Sequence, residues 1–505
     1  MAIDLNNASK LTEIIMAFYK KNDYQDLLEY VLQTMMELTD ADGGTLYVLE
    51  DQKLHFRILR NLSMGVEQGI REQIDLPPIV LDEHHIDNVS AFAAIKNEFV
   101  IIDDVYNNAD FNFSGPKKYD KMTGYRTQSM LVFPLATRDE DNDSDVIGVI
   151  QLINAMDKFG RVKPFESEIG SLRFLHALSN ISANALSNLL YAKEVRDLFH
   201  SFVQVMTTAI DERSSYTSQH TNNVAMYCNL FAKFLQERFP REHPYYFSGA
   251  RQEKLVLAAL LHDIGKVVTP LEIMDKSFRL NHHQFEAIQY KFQIKAAQLE
   301  VGYLKHQLSQ AEYAEAMEGI SRAFNMINVI NKSDYLSDDA LAEAKKLAHL
   351  SYVDADGIEV PILTPADMDA LAIRKGTLTA SERAEMQMHV VVTSRLLDKI
   401  TFKRFYKDVP KWASGHHEFL DGSGYPLGLS GDQIPIETCI LTIMDIYEAL
   451  TANDRPYKKG LSPEKSLSLL LRMADEGKLN KEMVQLFFES NVWKLAAVSI
   501  RKDEI

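Results

Sequence analysis

The sequence predicts a multidomain chain, with an N-terminal α+β domain, a long linking helix and a C-terminal all-α region. Three observations carry this. Up to about Asp157 a helical pattern is followed by short strand-like alternations, and Glu166 to about Asp211 reads as one helix uninterrupted after Gly170. Beyond it the apolar spacing is mostly helical. At 505 residues the chain is too long for one ordinary core, so two or three domains are expected.

In the first part "DLLEYVLQTMMEL" spaces its apolar residues as a helix does, whereas "GGTLYVLED" and "KLHFRIL" alternate as strands. "SMLVFPLA" and "VIGVIQLIN" read as further strands, separated by "TRDEDNDSD", a stretch too acidic for a core. In the long helix Leu172, Leu175, Leu178, Ala185, Leu189 and Ala192 recur at threes and fours; a helix this long between two domains reads as a parallel dimer seam, the blander view being that it packs on its own domain. "HTNNVAMYCNLFAKFL" and "EKLVLAALLHDIGKV" open the helical region after it.

Composition narrows the function classes. Hydrophobic residues at 46% and charged residues at 25% are a globular balance. A formal net charge of −17 opposes nonspecific binding to nucleic acid polymers or anionic membranes, while leaving room for a local basic pocket. The two cysteines, Cys228 and Cys439, lie in apolar helical runs, which fits a reducing compartment rather than a disulfide framework. No apolar run approaches the roughly 20 residues that span a bilayer, and the N-terminus lacks a signal-peptide layout. A cytoplasmic location is expected.

The pieces "GGTLYVLED", "VIIDDVYNNADFN", "TGYRTQSMLVFPL" and "GVIQLINA" resemble a GAF domain, most closely those of cyclic-nucleotide phosphodiesterases, over roughly residues 20 to 185. The resemblance implies a sensor that binds a small molecule against its sheet, or a dimerising spacer. The Asn-Lys pair of nucleotide-binding relatives is not met, because Asn154 is followed by Ala155.

The chemistry-bearing residues are His220, His262, Asp263, His389, His416, His417 and Asp445. Singly each has a bland reading, since a lone histidine on an apolar helix is usually packed core. Divalent cations need several imidazole and carboxylate donors brought together in space, and the two oxygens of one carboxylate can bridge two ions. Adjacent helical residues point about 100° apart, so His262 and Asp263 can address neighbouring ions.

The company of "LLHDIGK", "HHEFLDGSGYP" and "ILTIMDIYEALTANDRPYKK", in that order, resembles the HD-GYP family of cyclic di-GMP phosphodiesterases over about residues 198 to 475. The resemblance implies a pair of metals, iron or manganese. His220, His262, Asp263 and Asp445 would hold one; Asp263, His389, His416 and His417 would hold the other. It also implies Lys266, Tyr425, Arg455 and Lys458 at the substrate, with Asp263 and Lys266 in catalytic roles. The metals would activate water against a phosphodiester while the cations neutralise developing charge.

The departures are informative. Tyr216 stands where some family members place a glutamate for a third metal, so two metals are expected; Val390 replaces a usual proline and Glu448 an aspartate. Lys291 occupies the histidine position expected after the HD motif, and the pattern resumes at "IRKGTLTASERAEMQMHV", which marks a helical insertion of about 277–375. His282 and His283 lie on a polar run and read as non-ligands.

The expected organisation is a GAF domain over 1–165, a linker helix and dimer seam over 166–200, and an HD-GYP domain over 201–505. The expected activity is hydrolysis of cyclic di-GMP to pGpG, GMP or both, regulated by the GAF domain in a homodimer. The alternatives are a phosphodiesterase for another cyclic dinucleotide, such as cyclic GMP-AMP, and a slow or inactive receptor acting through partners.

Overall fold

The computed structural model describes residues 12–14, 16–17, 23–69, 74–82, 85–138, 144–165, 169–213, 219–333, 335–452 and 460–494. The chain divides into two compact units, Met1–Phe199 and His200–Ile505.

The first unit is an eight-stranded antiparallel sheet with helices on both faces. Its elements are α1 (Tyr24–Thr39), β1 (Ala41–Glu50), β2 (Lys53–Asn61), β3 (Val66–Gln68), β4 (Ile79–Val80), α2 (Val89–Lys96), β5 (Val100–Ile102), α3 (Ser114–Thr123), β6 (Met130–Arg138), β7 (Ser144–Met156) and β8 (Val162–Lys163). The strands run in the order β3-β2-β1-β7-β6-β5, with β4 on β2 and β8 on β7. Period-two alternation in β6 sends Leu131, Phe133 and Leu135 to the face covered by α1. Met130 and Val132 go to the face covered by α2. On β7, Ala155 returns to the α1 face past Asn154, whose φ of +54° interrupts the alternation. Asn154 is held there by Gln128 N–H at 2.7 Å and by its own amide donating to Tyr125 Oη at 2.9 Å.

The long helix α4 (Ile169–Asp211) runs for 43 residues, about 65 Å at 1.5 Å per residue. Its first half is not a free seam: Leu175, Leu178 and Ala185 are buried in the core of the first unit. The exposed apolar residues come later, at Tyr191, Val195, Leu198, Phe202 and Val205, spaced four, three, four and three, and each is 57–71% exposed. This exposed apolar repeat begins where the packing of the helix into the first unit's core ends.

The second unit is helical: α5 (His220–Arg238), α6 (Gly249–Leu261), α7 (Leu271–Met274), α8 (His282–Leu304), α9 (Gln310–Lys332), α10 (Asp338–Lys346), a hairpin β9 (Ser351–Val353) and β10 (Glu359–Pro361), α11 (Pro365–Leu371), α12 (Ala380–Leu397), α13 (Val409–Ser414), α14 (Ile436–Thr451), α15 (Pro463–Asp475) and α16 (Lys481–Ser490). Aromatic edges join α5, α14 and α16, with Tyr447 at 5.4 Å from Tyr227 and 5.1 Å from Phe487 between ring centroids. Cys228 and Cys439 are buried free thiols.

Residues 280–371 build a hydrophobic core of their own from Ile288, Phe292, Ile327, Ile330 and Leu371 among others. The helical character expected there is met by α8 and α9, and α10 follows with Ser337 as its N-cap. The hairpin and α11 were not legible in the sequence. At its base the fully buried Arg279 donates to the carbonyls of Ile330 at 2.7 Å and Ile373 at 2.9 Å, tying the two ends of the segment together. Lys291 donates to Ile362 O at 2.9 Å and so holds the hairpin side. His282 and His283 are exposed at the start of α8, with His282 beside Glu286 at 3.4 Å.

Candidate metal centre

Three imidazoles are aimed by the same local rule. Nδ1 of His262, His389 and His416 faces the carbonyl three residues earlier, Ala259, Met386 and Ala413, at 2.6, 2.5 and 2.7 Å. A carbonyl only accepts, so Nδ1 carries the proton and Nε2 is left as the basic nitrogen.

All seven residues converge, although they come from five helices or helix ends. Asp263 is central. Its Oδ2 lies 3.2 Å from His262 Nε2 and 3.6 Å from His220 Nε2, and its Oδ1 lies 3.4 Å from His389 Nε2 and 3.9 Å from His416 Nε2. Asp445 Oδ1 is 3.1 Å from His220 Nε2, and its Oδ2 is 3.9 Å from His417 Nδ1. One carboxylate thus faces two compact donor groups, His220 with His262 and Asp445, and His389 with His416 and His417.

The Nε2 atoms of His262, His389 and His416, and Oδ1 of Asp263, are buried without a hydrogen-bond partner. An unsatisfied buried polar atom costs about 1–3 kcal/mol, so four side by side need a compensating ligand. An imidazole and carboxylate donor set of this kind fits a divalent cation.

The electrostatics divide the histidines. Burial would lower His220 and His262, but carboxylates outweigh it. Asp445 and Glu448 push His220 up to about 9, while Asp263 and Asp445 push His262 up to about 10. Burial dominates at the other three: His417 falls to about 4, and His389 and His416 are also lowered. Asp263 and Asp445 are held well below the usual carboxylate range, since imidazolium and ammonium charges overcome the cost of burying them.

Residues outside the predicted set hold this geometry. Glu448 Oε2 bonds His220 Nδ1, and Glu448 Oε1 accepts from Asn223 at 3.0 Å. Glu448 lies three residues after Asp445, hence on the same helix face, and that spacing was the readable signal. Thr393 Oγ1 donates to His262 O at 2.9 Å and accepts from Gly265 N–H at 3.0 Å, joining α12 to the HD turn. Gly265 permits this approach, because a Cβ there would stand 1.9 Å from His389 O. Thr442 Oγ1 donates to His416 O at 2.8 Å. Neither threonine carried a sequence signal.

Lys266 Nζ donates to Asp263 Oδ2, which sets the ammonium at the edge of the cluster. In the loop after His417, Glu418 accepts from Leu427 and Leu429 N–H at 2.7 and 2.9 Å. A Cβ on Gly424 would meet Phe419 N at 2.4 Å, so that glycine is a packing requirement. The loop brings the Tyr425 ring to 4.8 Å from the His417 ring. Arg455, Lys458 and Tyr216 lie outside the described residues.

Family models match the two units separately. A GAF domain model matches residues 23–186, and two HD domain models match residues 217–328 and 361–483. The chain joins a GAF domain to an HD domain. Both domains expected from the motifs are present, and the two HD matches leave residues 329–360, within the expected insertion of about 277–375, uncovered.

Curated relatives align mainly to part of the chain. The 3'3'-cGAMP-specific phosphodiesterase 3 of Vibrio cholerae is 36% identical over 102 residues, 20% of this chain and 21% of the relative. The 3'3'-cGAMP-specific phosphodiesterase 1 of the same organism is 25% identical over 285 residues, 51% of this chain and 61% of the relative. The cyclic di-GMP phosphodiesterase response regulator RpfG of Xanthomonas campestris is 36% identical over 111 residues, 22% of this chain and 28% of the relative. The chain spans between about a fifth and three fifths of these relatives' lengths.

Proposed function

We propose that the HD domain is a metal-dependent phosphodiesterase that hydrolyses cyclic di-GMP to pGpG, GMP or both, under control of the GAF domain. The observation that supports this reading is the meeting of five histidines and Asp445 around Asp263, with three imidazole nitrogens buried and unpartnered. In this reading His220, His262, Asp263 and Asp445 hold one cation, and Asp263, His389, His416 and His417 hold the other. Iron or manganese suits mixed imidazole and carboxylate ligation.

When bound, such a pair makes water a nucleophile near neutral pH and offsets charge on the phosphoryl oxygens. The chain supplies the rest. Asp263 offers one oxygen to each side, Glu448 keeps the His220 ring oriented through Nδ1, and Lys266 presents a cation where a phosphate would sit. Tyr425 borders the substrate, and Arg455 and Lys458 are assigned to the remaining phosphate charge. Glu448→Gln, which removes the charge facing Nδ1, is expected to lower kcat/KM or Mn2+ affinity by about 10–100-fold, the usual range for such outer contacts. Steady-state kinetics with metal titration checks it, and an unchanged variant would remove Glu448 from the site.

Cyclic GMP-AMP is the second substrate reading, favoured by the relatives named as cGAMP-specific. Elemental analysis and hydrolysis of both cyclic dinucleotides on one purified sample test the proposal. Stoichiometric metal with turnover that His262→Ala abolishes supports it; equal turnover in wild type and His262→Ala refutes it. Metal without turnover leaves the receptor reading.

The GAF domain encloses a cavity of about 670 Å³ lined in part by Tyr47, Phe56, Phe113, Asn61 and Gln151, suited to a small planar ligand with hydrogen-bonding edges. The 3.5-residue apolar repeat from Tyr191 to Val205 supports a parallel homodimer. Leu198→Arg with Phe202→Arg is expected to halve the mass measured by light scattering, and an unaltered dimer mass would count against the seam. Among the described residues no helix is long and apolar enough to cross a membrane. The buried free thiols Cys228 and Cys439 suit a reducing compartment, and a cytoplasmic location is proposed on that ground.

A further inference from the structure

The last turn of α4 is tied to both edges of the metal centre by contacts that the catalytic reading does not use. Asp211 is 3% exposed, and its Oδ1 accepts from Thr221 Oγ1 at 3.0 Å. Thr221 follows His220, so the carboxylate grips the first turn of α5, where helix N–H groups lack partners and negative charge is favoured. Two residues further on, Arg213 Nη1 donates to Lys266 O at 3.2 Å and to Val267 O. The guanidinium therefore grips the short turn Ile264–Val268, which follows Asp263 and carries Lys266.

We propose that Asp211 and Arg213 are positioning residues through which the end of the linking helix sets the placement of His220 against the Asp263–Lys266 turn. Either contact alone would be ordinary packing. Here both leave one helix end, and they land on two separate segments, each adjoining a residue assigned to metal or phosphate. His220 and Asp263 approach each other across these segments, at 3.6 Å between Nε2 and Oδ2. A displacement of α4 would then alter that spacing directly, and an error near 1 Å in a catalytic geometry can cost about a hundredfold in rate. The same helix also contributes Leu175, Leu178 and Ala185 to the GAF domain core. This inference deepens the proposed function and rests on its metal centre.

The test uses the full-length protein with Mn2+ and bis(p-nitrophenyl) phosphate, so that it does not depend on which cyclic dinucleotide is cleaved. Mn2+ dissociation constants, kcat, KM and thermal midpoints are measured for Asp211→Ala, Thr221→Val, their double variant, Arg213→Ala and Arg213→Lys. Each alanine or valine variant is expected to weaken Mn2+ binding or lower kcat by about tenfold, with KM changed less than about twofold. The double variant should match the worse single, because both remove one contact, and Arg213→Lys should recover part of the loss. Metal affinity and kcat within about twofold of wild type in every variant overturn the proposal, as do losses that add and follow a falling thermal midpoint. If wild type binds Mn2+ but cleaves no phosphodiester, the phosphodiesterase reading fails while Mn2+ affinity still decides the positioning roles. If Asp263→Ala leaves Mn2+ affinity unchanged, the metal centre fails and the positioning proposal falls with it.

Discussion

Replacing Asp263 with alanine is expected to lower cyclic di-GMP hydrolysis by more than about a hundredfold, beyond the 10–100-fold typical of residues that only support a ligand. Asp263 turns one oxygen toward His220 and His262 and the other toward His389 and His416. Its loss leaves Asp445 as the only carboxylate of the assigned ligand set. Two divalent charges would then sit among five neutral imidazoles with one negative charge in place of two. Lys266 would also lose its partner and add an uncompensated cation to the cluster. Initial rates at saturating Mn2+, with metal content measured on the same sample, check this. His282→Ala is the matched control, because His282 is exposed and outside the cluster; its rate should stay within about twofold of wild type. A rate for Asp263→Ala near that of the control would remove the bridging role.

Stripping the metal with a chelator is expected to reduce activity to below about 1% of its starting value, and added Mn2+ or Fe2+ should restore it. Mg2+ and Ca2+ should not. Five of the seven assigned donors are imidazoles, and those two ions prefer all-oxygen coordination. Chelation should not disturb the fold of the HD domain, whose aromatic contacts among Tyr227, Tyr447 and Phe487 lie in helix packing apart from the ligand atoms. Circular dichroism before and after chelation separates loss of metal from loss of structure. Full activity after the metal has been shown to be absent would rule out the mechanism.

The local elements were legible because their periodicity is a property of neighbouring residues. The strands at "GGTLYVLED" and "VIGVIQLIN" and the 43-residue helix α4 follow from patterns of two and of three to four. The same periodicity could not separate a dimer seam from packing on the helix's own domain. Leu175 and Ala185 recur at helical spacing and are core of the first unit, whereas the exposed repeat begins at Tyr191. Spacing says that a helix has an apolar face; which surface covers that face depends on what packs nearby. The hairpin of the insertion and α11 escaped notice for a related reason. Short elements carry too few periods to stand out, and this pair is held by Lys291 and Arg279 from other parts of the chain.

The order of the domains, the run of long helices and the donor types at the HD and GYP motifs are each written in residues close together along the chain. That Glu448 bonds His220 across 228 positions, that Thr393 locks the HD turn onto α12, and that the end of α4 reaches both edges of the cluster emerge from the folded arrangement alone. The reason is geometric. A distance between side chains on different helices is set by how those helices pack, and packing is a joint outcome of many residues that no short motif contains.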